Sequence, residues 1–433
     1  MATRRRLAAL ALVLSLVLAG CAGDSGAFRT TEPETGTTTV GTATEPPTRT
    51  TTTAEVTGEY SVPVTGNALP VDADRTFARV QSLVGSDVEP QTVRVREGST
   101  RTGEAEYYSQ RPFFRVMGLS EANYSTVGAS GVTYSDGEVQ ITTRDAPPAE
   151  VERVLAHEFA HTVQMRTSMT ADLDSGVFGN PTTDYAMTRR ALVEGGAVYV
   201  TDVYAERFQN RTVYQSNVVE RQYERGPGGN RYLWAPYHFG YRYVADTIDS
   251  PAELATVYDN HPETTEQLLH GYAPDEEPVA DLVLRDTVED WYRTDTDTKG
   301  ELVTRIVLRG ELTKERAAAA AAGWGNDRAA VYEQASGDAA GVAWALRMDD
   351  RGEATEAVDA FEAFADRQTE SSFRVERVTA RTLVVIGGDG AFVDNARVSA
   401  QGARVTVGID DPRASLTPPG PTGAVDAPPA TVA

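Results

Sequence analysis

Two histidines separated by three residues constrain this chain more than any other short feature of its sequence. The segment reads His157-Glu158-Phe159-Ala160-His161, and the chain has only five histidines in all. Residues four apart lie on one face of an α-helix, so both imidazoles can reach a single metal ion. Glu158 lies at the edge of that face, where its carboxylate can take a proton from a metal-bound water. The segment therefore predicts a helix that carries a metal site.

This spacing is the HExxH pattern of zinc-dependent peptidases. Short patterns also arise by chance, and the alternative is a surface helix with two hydrogen-bonded histidines. The segment Asp145-Ala146-Pro147-Pro148 predicts that the helix begins here, since proline suits a first helical turn. We expect the helix to end near Arg166. Before it, the apolar patterns predict a helix and three strands, over 73–83, 91–96, 113–117 and 139–143. This order of elements is that of a zincin, so we expect an α+β, zincin-like fold.

A catalytic zinc site usually has three protein ligands and a water, so the two histidines need a third partner. The best candidate is Glu194, on a helix predicted over 184–207, where apolar and small residues flank it. A carboxylate in such surroundings is costly unless it is paired or binds a metal. Two glycines follow it, which a close approach to the HExxH helix would explain. Alternatives are a surface role for Glu194, and Asp172 or Asp174 as the ligand. The sequence identifies no partner for the second ring nitrogen of either histidine.

The N-terminus has the features of an export signal. Three arginines at positions 4–6 suit the twin-arginine route and precede an apolar run over 7–19, too short for a mature membrane span. The run leads into Leu18-Ala19-Gly20-Cys21, which looks like the cleavage and lipidation site of a lipoprotein. An ordinary signal peptide with an incidental cysteine is the alternative. We expect a signal peptide over 1–20 and a lipid anchor on Cys21 at the extracellular face of the cell membrane.

Composition divides the rest of the chain. Half of the residues over 30–57 are threonine, and such a segment buries too little apolar surface to fold. We expect a disordered stalk over 21–66, with or without O-glycans, and a zincin-like catalytic domain over 67–300. An α+β part over 301–410 and a disordered Pro- and Ala-rich tail over 411–433 follow. The C-terminal part repeats the order helix, strands, helix, so we hypothesise a degenerate repeat that lacks HExxH.

The charge balance is strongly acidic. Asp and Glu number 63 against 40 Lys and Arg, which makes the formal net charge −23, and Lys299 and Lys314 are the only lysines. Such a surface resembles that of proteins from extremely halophilic archaea, where molar salt shortens the Debye length to about 3 Å and screens the self-repulsion. The same field repels nucleic acid, so we expect no nucleic-acid partner.

Several further segments carry a resemblance to a family of haloarchaeal surface lipoproteins. They are His157 to Gln164 (HExxHxxQ), Glu194 to Ala197 (EGxA), Pro236 to Gly240 (PYxxG), Thr264 to His270 (TEQxLH) and Ala322 to Arg328, where Asn326 stands in place of the more usual glycine. The stretch that resembles this family covers about 147–367, and the order of the motifs makes it specific. The resemblance implies a zincin-like, gluzincin-type domain with Glu194 as the third zinc ligand, and it implies no substrate.

Two adjacent residues have a catalytic and a structural interpretation. Either Tyr237 or His238 would stabilise the oxyanion or donate a proton during peptide hydrolysis, or both are core aromatics on a helix. For Thr264, Glu266 and His270 we favour structural roles, as the cap and an i,i+4 pair of one short helix.

The sequence as a whole favours a membrane-anchored zinc metallopeptidase that acts on peptides or proteins. His157, His161 and Glu194 would bind Zn²⁺, and Glu158 would act as the general base. The alternative is a non-catalytic cell-surface or envelope protein on a zincin scaffold, which would have no need of Glu158. A solute-binding lipoprotein would fit the anchor and the stalk but not HExxH. We expect a monomer.

Overall fold

The computed structural model divides into two units and describes part of the chain. The first unit comprises Met1–Gln110 and Leu119–Glu277, and the second comprises Arg111–Gly118 and Pro278–Ala433. The described residues are 60–97, 108–122, 128–171, 173, 181–210, 213–288, 290–335, 337 and 339–409, with the backbone of 18–19. Most of the predicted signal and stalk, Cys21, Asp172, Asp174 and the tail lie outside these residues. The boundary at Glu277 differs from the predicted one at residue 300, because the strands between them belong to the second unit.

The sheet of the first unit combines parallel and antiparallel strands. They are β1 (Leu18–Ala19), β2 (Val64–Gly66), β3 (Val93–Arg96), β4 (Ser130–Thr133) and β5 (Val139–Thr142). Their order is β1-β4-β5-β3-β2; β2, β3 and β5 are parallel, while β4 is antiparallel to β5 and β1. The predicted stalk over 21–66 is too long at its end, because Val62 joins the apolar core and β2 pairs with β3.

Helices separate and follow these strands. In chain order they are α1 (Ala73–Val84), α2 (Pro112–Val116), α3 (Pro148–Arg166), α4 (Thr183–Phe208), α5 (Gln215–Arg225), α6 (Gly228–Thr247), α7 (Leu254–Asp259) and α8 (Thr265–His270). All of them except α2 belong to the first unit. Among the described residues, no helix combines the length and the apolar character that crossing a membrane requires. The predicted HExxH helix and glutamate-bearing helix are confirmed as α3 and α4.

The predicted strand over 113–117 is wrong, because this segment forms helix α2. Pro112 occupies the first helical turn, where its fixed backbone angle and missing N–H are tolerated. Phe113, Phe114 and Val116 are all buried. A short apolar run of this kind has no clear period, so the pattern alone does not separate strand from helix.

The second unit contains two sheets. An antiparallel sheet has the order β10-β11-β9-β8-β7, and a smaller sheet has the order β12-β13-β6, in which β13 and β6 are parallel. The strands are β6 (Val283–Val288), β7 (Trp291–Asp297), β8 (Trp324–Gln334), β9 (Ala340–Met348), β10 (Ser372–Arg377), β11 (Thr382–Gly388), β12 (Ala396–Gln401) and β13 (Arg404–Ile409). The helices are α9 (Gly300–Leu308), α10 (Lys314–Ala321), α11 (Arg351–Ala365) and α12 (Gly390–Asn395). The hypothesis of a degenerate repeat is wrong, because the two five-stranded sheets differ in strand order and direction.

A buried carboxylate organises the segment from Ala322 to Arg328. Asp327 is fully buried and accepts hydrogen bonds from the indole nitrogens of Trp324 and Trp344, at 2.9 and 3.0 Å. It also accepts from the backbone N–H groups of Lys299 and Gly300, each at 2.8 Å, where α9 begins. Burial raises the pKa of Asp327, and these donors oppose that rise. The conspicuous tryptophan and aspartate of this motif therefore have a structural role in the second unit.

Candidate metal centre

Helices α3 and α4 bring the three predicted ligands to one point. The Nε2 atoms of His157 and His161 lie 3.1 Å apart, and Oε2 of Glu194 lies 3.4 Å from the first and 3.2 Å from the second. All three side chains are fully buried. In the described part of the chain, no other group of three or more His, Cys, Asp or Glu side chains places its ligand atoms closely enough to share a metal ion.

The spacing of these atoms fits tetrahedral coordination. With metal–ligand distances of about 2.1 Å, tetrahedral angles separate the ligand atoms by about 3.4 Å. The observed separations of 3.1, 3.2 and 3.4 Å are close to that value. Two imidazole nitrogens and one carboxylate oxygen are also donors that divalent transition metals accept. The cluster of His157, His161 and Glu194 can therefore hold a metal ion.

The electrostatics of the cluster keep Glu194 ionised. Burial raises the pKa of this carboxyl, but the hydrogen bonds and charge of the two histidines lower it by more, so the net shift is downward. Burial lowers the pKa of His161, while the hydrogen bond and charge of Glu194 outweigh that effect and raise it. A metal would take the place of the shared protons, because binding requires a deprotonated carboxylate and neutral imidazoles.

Strand β4 holds Glu158 beside the cluster. Thr133 donates a hydrogen bond from Oγ1 to Oε2 of Glu158 over 2.7 Å, and Glu158 is fully buried. Gly131 provides the space, because a Cβ there would lie 2.6 Å from Cγ of Glu158. Neither Gly131 nor Thr133 was predicted from the sequence. Strand β4 was not predicted either, because its Ser-Gly-Val-Thr sequence over 130–133 has no clear apolar period, and no local pattern reveals the register of a strand against a helix.

His161 has a partner for its second ring nitrogen. Gln164, one turn later on α3, places Oε1 2.6 Å from Nδ1 of His161. This partner was not predicted from the sequence, although a spacing of three residues puts Gln164 on the same helix face as His161. Asp202, two turns beyond Glu194 on α4, has a different role. It accepts a hydrogen bond from the backbone N–H of Gln215 over 2.6 Å at the start of α5.

Tyr237 borders the cluster. Its ring stacks on His157 with centroids 6.3 Å apart and an interplanar angle of 21°. The guanidinium of Arg190 lies 5.7 Å from the centre of the Tyr237 ring, and its Nε lies 4.0 Å from Oε1 of Glu194. Tyr237 is therefore both a buried aromatic of α6 and a neighbour of the candidate metal ligands.

His238 occupies different surroundings. It stacks on Tyr223 with centroids 4.9 Å apart and contacts the ring of Phe239 edge-on at 4.8 Å. These contacts place it in an aromatic group between α5 and α6, as the structural interpretation expects. Thr264 accepts a hydrogen bond from the backbone N–H of Gln267 and caps α8, as predicted.

The two glycines after Glu194 have different neighbours. A Cβ on Gly195 would lie 2.1 Å from the carbonyl carbon of Gly240, so the close approach is to α6 rather than to the HExxH helix as expected. A Cβ on Gly196 would lie 2.3 Å from the hydroxyl of Tyr258 and 3.1 Å from Nε2 of Gln164, which is on the HExxH helix. The predicted explanation therefore holds for Gly196 and is wrong for Gly195.

Comparison with known proteins gives one match. A family model described as a domain of unknown function (DUF8575) matches residues 287–416, which lie in the second unit. No curated protein matches the chain, and no solved structure matches it. His157, His161 and Glu194 lie outside the matched segment, so this match carries no information about their chemistry.

Proposed function

We propose that this protein is a zinc-dependent metallopeptidase whose first unit is zincin-like. The proposal is supported above all by three ligand atoms within 3.4 Å of one another and a glutamate adjacent to the first ligand. Two histidines and a glutamate are the ligand set of several zinc peptidases. The succession of mixed sheet, HExxH helix and glutamate-bearing helix supports the same assignment.

The chain's own side chains divide the chemistry among them. His157, His161 and Glu194 would hold zinc, which would act as a Lewis acid that makes water more acidic and polarises a peptide carbonyl. Glu158 takes a proton from the attacking water and passes it to the leaving amine. Thr133 orients the Glu158 carboxylate through its hydrogen bond.

Tyr237 is the side chain best placed for a supporting role. It lies against His157, so its hydroxyl can stabilise negative charge on the carbonyl oxygen or protonate the leaving group. His238 packs in an aromatic group on the neighbouring part of α6, and Tyr237 is therefore the better candidate of the two.

We further propose that the protein acts outside the cell on peptides or proteins, held to the membrane by a lipid on Cys21. This proposal rests on the basic start, the apolar run and the Leu18-Ala19-Gly20-Cys21 segment. The net charge of −23 suits a surface exposed to high salt and disfavours nucleic-acid partners.

One observation favours a second function, that of a non-catalytic surface protein with a structural metal site. His157, Glu158, His161 and Glu194 are all fully buried, whereas substrate must reach a catalytic zinc. Burial of this kind suits a structural site, although structural zinc sites almost always have four protein ligands and the described residues supply three here. Against this alternative stands Glu158, a buried carboxylate that a structural site does not require.

Cleavage of an unfolded protein in molar salt tests the proposal. We expect Glu158→Gln to keep its zinc but to lose cleavage by about 10²- to 10⁴-fold, because an amide does not accept the proton of water. Glu150→Gln is the matched control, since Glu150 is a buried carboxylate on α3 that accepts from the backbone N–H of Ala129. Undiminished cleavage by Glu158→Gln would contradict the proposal, and zinc-loaded wild type without cleavage would favour the structural site.

A further inference from the structure

We propose that Gln164 is a positioning residue that selects the tautomer of the neutral His161 ring, and that the backbone carbonyl of Val193 fixes the orientation of the Gln164 amide. The contacts concerned join α3, α4 and α7. The proposal rests on the metal-binding half of the proposed function and is independent of peptide hydrolysis.

Two neighbours determine which way the Gln164 amide faces. Its Nε2 lies 2.9 Å from the carbonyl oxygen of Val193 and 2.7 Å from the hydroxyl oxygen of Tyr258. A backbone carbonyl only accepts hydrogen bonds, so the NH₂ group must be the part that faces Val193. The reversed amide would set two carbonyl oxygens against each other inside the protein, where unsatisfied polar groups are costly.

The orientation of the amide decides where the proton of His161 lies. With NH₂ toward Val193, Oε1 of Gln164 faces Nδ1 of His161 at 2.6 Å. An amide oxygen carries no hydrogen, so Nδ1 must be the donor. In the neutral ring Nε2 then keeps its lone pair, and Nε2 is the nitrogen 3.2 Å from Glu194. Helix α4 thus supplies one metal ligand, Glu194. The residue before it, Val193, supplies the carbonyl that orients Gln164 and, through it, the ring of His161.

Packing around the amide leaves it little freedom. Gln164 and Tyr258 are both buried, which shields their hydrogen bond from water. Gly196 on α4 admits them, because a Cβ there would lie 2.3 Å from the Tyr258 hydroxyl and 3.1 Å from Nε2 of Gln164. Val193, Glu194 and Gly196 are near neighbours on one helix. The ligand Glu194 and the carbonyl that orients Gln164 are therefore held by the same rigid element.

Two measurements on the full chain test the proposal: zinc affinity by competition with a chromophoric chelator, and the ring protons of ¹⁵N-labelled histidines by NMR without metal. We expect Gln164→Met to weaken zinc binding about 10- to 100-fold, as loss of a partner behind a ligand does. The same variant should lose the hydrogen-bonded Nδ1 proton signal of His161. Gln164→Glu restores an acceptor at Nδ1 and should bind zinc more tightly than Gln164→Met, even if its thermal midpoint falls.

Gln81 offers a matched control, because it is a buried glutamine on α1 whose Nε2 donates to the carbonyl of Val88. Gln81→Met is expected to lower the thermal midpoint while zinc affinity stays unchanged. If Gln164→Met does not fold, Tyr258→Phe takes its place, with a smaller expected loss of zinc affinity.

Three results would overturn the proposal. They are unchanged zinc affinity in the folded variant, Gln164→Glu no better than Gln164→Met, and a wild-type His161 without an Nδ1 proton. If the wild type binds no zinc, the metal-binding part of the proposed function fails, and the Nδ1 signal still decides the role of Gln164.

Discussion

The side chains of the candidate metal site, and Glu158 beside them, have neighbours that orient them. Thr133 donates to Glu158, Gln164 faces the ring of His161, and Tyr237 stacks on His157. These neighbours come from a strand, from the same helix and from a distant helix. The geometry of the three candidate ligands and of Glu158 is therefore supported by side chains from other parts of the fold.

Thr133→Val tests the support of Glu158, because valine has nearly the same shape and lacks the hydroxyl. Hydrogen bonds to charged groups contribute about 1.5–3 kcal/mol, so we expect kcat for peptide cleavage to fall about 10- to 100-fold at unchanged zinc content. Thr201→Val is the control, since the buried hydroxyl of Thr201 donates to the carbonyl of Ala197 within α4. A wild-type kcat for Thr133→Val would show that Glu158 needs no such support.

Local spacing brought His157, Glu158 and His161 together, whereas Glu194 was chosen for its apolar and small neighbours, and the contacts of Glu158 with β4 needed the tertiary structure. HExxH fixes two ligands and Glu158 because one helical turn sets their geometry. Gly131 and Thr133 depend on how β4 lies against α3, which no local pattern specifies. Tyr237 and His238 are adjacent, and successive residues point about 100° apart on a helix. Which of them faces the cluster therefore followed only from the packing of α6.

Long helices with capping signals were the elements best predicted from the sequence. Helix α3 begins at Pro148 and ends at Arg166, as expected. The strand predicted over 113–117 was wrong, because a short apolar run after a proline is compatible with either a strand or a helix. The domain boundary was also misplaced, since strands β6 and β7 pair with later strands of the second unit.

Close contact between α4 and α6 predicts a large effect of one added methyl group. A Cβ on Gly240 would lie 1.8 Å from the carbonyl oxygen of Ala191, so Gly240→Ala must displace the helix that carries Glu194. We expect the free energy of unfolding to fall by about 3 kcal/mol, at the upper end for overpacking. Chemical denaturation measures this change.

Gly352→Ala is the control for this substitution, because Gly352 is exposed in the first turn of α11. Its free energy of unfolding should change by less than about 0.5 kcal/mol. If Gly240→Ala proves equally mild, the two helices do not approach as closely as the structure has them.

At the scale of the whole molecule, the two units carry different kinds of information. The first contains the candidate metal site of His157, His161 and Glu194, and the second contains the match to a domain of unknown function together with the buried Asp327. Their sheets differ in strand order, which excludes a common repeat. The acidic character of the chain follows directly from its composition, whereas the boundary between the two units was seen only in the folded structure.

The net charge of −23 predicts that salt stabilises the protein. Repulsion among carboxylates opposes the compact state, and raising salt from roughly 0.2 M to 3 M shortens the Debye length to a few Å. We expect the thermal midpoint to rise across this range of KCl, as measured by circular dichroism. A midpoint that stays constant or falls would contradict the halophilic interpretation of the surface.

Metal content per chain tests the proposed zinc site most directly, because both the proposed hydrolysis and the effect of Gln164 on zinc affinity depend on His157, His161 and Glu194 binding one ion. After dialysis against zinc and removal of the excess, mass spectrometry of the metal should find about one zinc per chain in the wild type and in Glu158→Gln. Glu194→Ala should retain almost none. A wild type without stoichiometric metal, or a Glu194→Ala protein that keeps it, would contradict a zinc site formed by His157, His161 and Glu194.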